Sequence, residues 1–123
     1  MAFLNDRVYD NGLTVLDTEA NQMHITSQEA VSFVDATVTS TLGFSATVVV
    51  SAPQARTGGG REVELSSITD GAVTASGSAT HYAIVDTVNS RLLVSGTLGV
   101  PQVVTSGNTF TFAPVTIGIP APA

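Results

Sequence analysis

The stretch GSATHYAIVDTVNSRLLVSGTL (77–98) places His81 five residues before Asp86, with serines nearby on both sides. These residue types could build a serine nucleophile activated by an imidazole, if the base reached both the hydroxyl and an orienting acid. On a regular strand, an odd separation sends two side chains to opposite faces. No serine here sits in a GxSxG turn either. The stretch therefore reads as a hairpin, HYAIVD and RLLVSGTL around the turn TVNS. Asp86 and Asn89 suit that turn, because their side chains can bond nearby backbone groups. No catalytic residue is assigned to it.

Metal and carboxylate chemistry find little to work with. The chain has two histidines, His24 and His81, and no cysteine, which rules out disulfides and zinc–thiolate sites. DRVYDNG (6–12) lacks the spacing of a calcium loop. Glu62 and Glu64 share one face of a strand and could imitate a glycosidase pair, but alternating charge of this kind is usually a solvated strand face. RTGGGRE (56–62) looks like a phosphate loop without its lysine, and no helix follows, so it reads as a flexible surface loop. Its flanking Arg56 and Arg61 are suited to an acidic partner, since guanidinium groups bond carboxylates through two parallel donors. The expectation is a protein that is not an enzyme, with no metal and no cofactor.

The elements that must position these residues are mostly strands. NQMHITS (21–27) reads as a first strand with Met23 and Ile25 on one face. SQEA follows, with Ser27 as a candidate cap for a helical turn over 28–35. ATVTSTLGFSATVVVSA is rich in β-branched residues, with Gly43 marking a bend. PQARTGGG (53–60) reads as a loop, and REVELSSI (61–68) alternates as a half-buried strand does. TDG (69–71) reads as a hairpin turn, and Gly77 as a bulge. Further strands flank TSGN (105–108), with Phe110 and Phe112 on one face. Turn signals recur about every ten residues, as in a small antiparallel β-sandwich or barrel. The chain thus divides into an N-terminal arm (1–20), a β-sandwich domain (21–119) and a Pro-rich tail (120–123). At most one or two short helical turns are expected; residues 4–10, before Asn11-Gly12 interrupts the helical spacing, read as one such turn or as an extended arm.

Composition narrows the partners. The chain has 123 residues and a net charge of −6, with only 11 % charged residues, against a usual ~25 %. All four cations are arginines. An acidic chain is a poor ligand for nucleic acid or for an anionic membrane surface. MAFLNDRVYD carries Asp6, Arg7 and Asp10 where a secretory signal would be apolar, so the protein is expected to be made and to stay soluble in a cytoplasm. Residues 1–35 hold six of the ten acids, and residues 92–123 hold no charge at all. So much neutral surface points to a protein covered by a partner or by copies of itself. Phe3 and Leu4 form an apolar pair on the arm, which such a partner would pin.

The opening MAFLNDRVYDNGLTVLDTEANQMHITSQEA, DGAVTASGSATHYAIVDTVNSRLL and VTSGNTFTF together resemble a family of small structural virion proteins of tailed bacteriophages. The resemblance covers nearly the whole chain. It implies a capsid decoration (cement) protein, made in the host cytoplasm, that binds the major capsid protein on the outside of the head. It also implies homotrimers gripping the shell with an N-terminal arm. On that reading the partner contacts are Phe3, Leu4, Arg7 and Tyr9, with Arg56 and Arg61 as a second contact. The alternative is a tail or tail-fibre component with a host-receptor or carbohydrate-binding role. The small number of aromatic residues disfavours a sugar site.

Overall fold

Alternation decides the strands. In REVEL, the strongest period-2 segment, Val63 and Leu65 are fully buried while Glu64 faces solvent. The computed structural model describes residues 6–120, and of residues 6–10 the backbone alone. It is mostly antiparallel β. A helix α1 (Asp6–Glu19) leads into β1 (Gln22–Thr26), a π-helical turn (Asp35–Thr39), and β2 (Thr41–Ser45). Then come β3 (Gln54–Ala55), β4 (Arg61–Leu65), β5 (Ile68–Val73), β6 (Gly77–Asp86), β7 (Arg91–Val104), β8 (Thr109–Phe112) and β9 (Val115–Ile119). Six strands form one sheet in the order β7-β6-β1-β2-β5-β8, and three form another in the order β3-β4-β9.

The core fills the space between α1 and the inner faces of the sheets. Leu13 and Leu16 of α1 join Met23, Ile25, Val63 and Ile84 there. A second, smaller cluster lies on the outer face of β6: Ala83 and Val85 are covered by Ala30, Ala36 and the half-buried Phe33. That cover explains why residues 82–86 are buried without alternation: the strand has protein on both faces.

Several local expectations are corrected. Residues 6–19 form a helix of 14 residues, longer than the turn expected near residues 4–10, and its C-terminal half is docked in the core. Gly12 weakens a helix by about 1 kcal/mol relative to alanine, but burial of Leu13 and Leu16 outweighs that. The turn placed at 28–35 falls instead at 35–39, because the Asp35 carboxylate organises it. That side chain accepts from the Val31 N–H and the Ser40 hydroxyl, while Ser27 donates its N–H to the Ser40 carbonyl instead of capping a helix.

TDG (69–71) is no hairpin turn. It runs through β5, where a register irregularity separates Ile68 from Gly71. Glycine is needed there because Phe110 of β8 lies across it; a Cβ would come within 2.3 Å of that ring. Tyr82 covers Gly96 in the same way, with an added Cβ 2.7 Å from the ring. The expected bulge at Gly77 is also absent; β6 starts there, and its irregularities lie between Ala79 and His81 and between Ile84 and Val85.

The strands around TSGN exist, with Asn108 N–H bonded to the Thr105 carbonyl across the turn at 3.1 Å. They do not pair with each other. β7 pairs with β6, and β8 pairs with β5. Pro114 then ends β8, so TFTFAPVTIGI divides between two sheets.

Two substitutions test the docked helix against an extended arm. Gly12→Ala has room, since a Cβ would meet Ile119 at 3.7 Å, and is expected to stabilise the protein by about 0.5–1 kcal/mol. Leu16→Ala is expected to cost about 2–5 kcal/mol. Chemical denaturation measures both; a free arm would leave both near zero.

Candidate interaction surfaces

The residues with chemical potential are scattered, and their polar groups serve the fold. Asp86 accepts from the N–H groups of Val88 and Asn89 at 2.9 and 3.4 Å, and from the Asn89 amide at 2.8 Å. These bonds close the TVNS turn, with Ser90 at φ 54°, and the Asn89 amide foremost among them holds the carboxyl below its ordinary range. His81, half-buried, bonds to its neighbour Thr80 at 2.8 Å. Histidine and aspartate thus have separate local partners. Asp70 accepts from Thr47 and Ser45 at 2.8 and 2.9 Å, and those hydroxyls, Thr47 first, lower its pKa. The Ser40 hydroxyl, with the Val31 N–H, does the same for Asp35. Among the described residues no three His, Asp or Glu side chains converge as a metal site. None of the described helices is long and apolar enough to cross a membrane.

His24 lies in β1 on the face opposite Met23. Its ring stacks on Phe44 across the strand pair, with centroids 5.5 Å apart. Nδ1 lies 2.8 Å from the Thr41 hydroxyl, and Nε2 lies 3.1 Å from Gln22 Oε1. A neutral ring protonated on Nε2 fits both partners. Burial lowers its pKa to about 4.

The RTGGGR segment is an ordered hairpin. β3 pairs with β4 through Gln54↔Glu62 and Ala55↔Arg61, so residues 53–60 contain a strand that sequence reasoning read as loop. Gly58, Gly59 and Gly60 take φ of 90°, 105° and 93°, the left-handed region that glycine enters without strain. Gly60 also presses on β9: a Cβ there would lie 2.0 Å from the Ile119 carbonyl oxygen. The missed signal was this glycine run, which serves a tight turn as readily as a loose one. The Arg56 stem crosses Gly118 of β9, and its Nη1 donates to the Gly59 carbonyl at 3.0 Å. Arg61 Nη2 donates to the Pro53 carbonyl at 3.4 Å. Both arginines are half-buried and belong to one small sheet.

Helix α1 packs against β4, and the backbone of Arg7 and Tyr9 lies on that helix. The structure therefore brings the elements bearing Arg7, Tyr9, Arg56 and Arg61 together. Phe3 and Leu4 lie outside the described residues. The fourth arginine, Arg91 at the start of β7, lies 3.4 Å from Glu19 at the end of α1 in an exposed ion pair.

A cleft of about 290 Å³ opens between β7 and the β8–β9 corner. Leu98, Val100, Phe112, Pro114 and Val115 form most of its wall, with Tyr82 at its base. Tyr82 and Phe112 meet there edge to face, with centroids 5.4 Å apart. Burial raises the Tyr82 pKa, which keeps the phenol neutral. Thr97 and Gln102 supply uncharged polar groups. No charged side chain lines the cleft, and nothing in the sequence marked it, because its walls come from two strands that do not pair.

Comparison with known proteins finds no match: no family model fits the chain, and neither a curated protein nor a solved structure matches it.

The buried imidazole gives a pH test. The folded pKa of His24 lies below its unfolded value of 6.5, so the unfolded state binds the extra proton first. Stability is complete above pH 6.5 and falls as the pH drops toward 4. Asp35, Asp70 and Asp86, also lowered, act below the ordinary carboxylate pKa of about 3.9. We expect thermal melting temperature to decline between pH 6.5 and 4 in the native protein, and to decline much less in His24→Gln. Equal slopes in the two proteins would contradict the assignment.

Proposed function

We propose that the protein is a capsid decoration (cement) protein of a tailed bacteriophage, held on the outer surface of the head through α1 and the β3–β4 hairpin. One observation supports this most directly: three of the four arginines lie on these two packed elements. Guanidinium groups gathered on neighbouring elements give an acidic chain local cationic points for the carboxylates of a partner. Guanidinium groups such as those of Arg56 and Arg61 suit carboxylates on the major capsid protein, while the segment with Phe3 and Leu4 would add apolar contact. Each contact is weak alone. Repetition across a lattice makes them strong together, and preference for the closed lattice stabilises it by mass action.

Purified phage heads stripped of accessory proteins provide the test. Native protein is expected to sediment with them at saturating stoichiometry. Arg56→Gln/Arg61→Gln, with folding checked by circular dichroism, is expected to weaken loading at least tenfold. Failure of the native protein to load on heads overturns the reading, and loading on tails alone would replace it with the tail-component alternative.

A further inference from the structure

The cleft lies beside an unusual piece of β7. On β6, His81 pairs with Thr97 and Ala79 pairs with Gln102. Thr80 alone therefore spans the level at which β7 inserts Leu98–Pro101, and this bulge stands out from the sheet. Val100 is 73 % exposed and Val103 is 87 % exposed. Val100 also lines the cleft. A protruding apolar side chain and an apolar hollow thus sit side by side on one face.

The backbone decides what kind of guest fits. Pro101 and Pro114 place no N–H on either wall at this level, so a guest strand could not build a continuous ladder. The hollow suits a side chain. Charge decides whose side chain. Residues 92–123 carry no charge, whereas each copy as a whole carries −6. Two acidic copies repel each other as wholes, and a contact through uncharged surface is the one that adds no like-charge pair to that repulsion; this face is such a surface. A patch holding both knob and hollow is self-complementary under a two-fold rotation, the requirement of an isologous contact.

We propose that the β7 face is a two-fold contact between copies of this chain, with Val100 of each copy seated in the cleft of the other. The contact covers valines that a monomer would leave in water. The phage-protein resemblance implies trimers; this face is built for pairs. The inference concerns the protein in solution and needs no capsid, so its failure would leave the docking reading untouched.

Sedimentation equilibrium of the native protein, over a range of concentrations, tests it. A monomer–dimer equilibrium is expected, tightening with added salt as repulsion between like-charged copies is screened. Val100→Asp is expected to weaken dimerisation at least tenfold without changing the melting temperature of the monomer. Ala113→Trp, which fills the cleft from its exposed rim, is expected to act in the same direction. Val34→Asp, on the 28–39 segment outside the cleft, should leave the dimer intact. A monomer at all concentrations, an odd-numbered assembly, or a dimer that resists Val100→Asp but yields to Val34→Asp would overturn the proposal.

Discussion

A four-residue turn joins the two outermost strands of a six-stranded sheet, and the rest of the molecule follows from that constraint. Laid flat, the edges of six strands would stand about 24 Å apart. A tight turn brings its ends within about 7 Å. The sheet must therefore curl until β7 and β8 meet at the Thr105–Asn108 end. The turn is held there by backbone bonds to β5: the Val73 N–H donates to Asn108, and the Gly107 N–H donates to Val73, both at 2.9 Å. The Ser106 N–H adds a bond to the Ser76 hydroxyl at 2.9 Å. Each outer strand pair also carries an aromatic ring folded over a cross-strand glycine, Tyr82 over Gly96 and Phe110 over Gly71. Rings in those places let strands bend sharply while the interior stays filled. The cleft is the remainder: above the turn the two walls separate, because each is already paired on its other side.

The strands were legible from residue types because alternation and turn chemistry are local. β4 could be read from REVEL, and the β6–β7 hairpin from TVNS with Asp86 and Asn89 beside it. Partner choice was not legible. VPQVV-TSGN-TFTF reads as neighbouring strands in a hairpin, yet the strands diverge, since pairing depends on β5 and β6 far away in the chain. Where local signals failed, tertiary contact had changed their meaning. The glycine of TDG lies under Phe110 inside a strand, and the glycines of RTGGGR make a tight hairpin. Helix α1 reads only as a short turn near residues 4–10, because Asn11-Gly12 breaks its pattern; burial of Leu13 and Leu16 outweighs the cost of that break. The cleft had no sequence signature, being a product of closure.

The polar residues tell a similar story about function. Hydroxyls and carboxylates that could be imagined as reactive are tied into short loops: Asp35 with Ser40, Asp70 with Ser45 and Thr47, Asp86 with Asn89. Hydrogen bonds to the ionised form favour that form, so these acids are poor proton donors near neutral pH. The imidazole of His24, in contrast, is kept neutral by burial and stacked between strands. Such groups give the β-body a defined shape, and the docking and pairing proposed above draw on its surfaces instead.

Those surfaces divide by charge. Arg7, Arg56 and Arg61 are carried by α1 and the β3–β4 hairpin, while the chain beyond Arg91 is neutral. A monomer that must stay dissolved gains from spreading charge over its whole exterior. Concentrating ionisable residues on some elements and leaving β7 with exposed valines has the opposite consequence: the two regions favour different neighbours. An electrostatic face weakens as salt rises, because its attraction is screened. An apolar face between like-charged copies strengthens under the same change. The two proposed contacts therefore respond to ionic strength in opposite directions, and that difference, rooted in where the arginines and valines sit, separates docking on a partner from pairing with a copy.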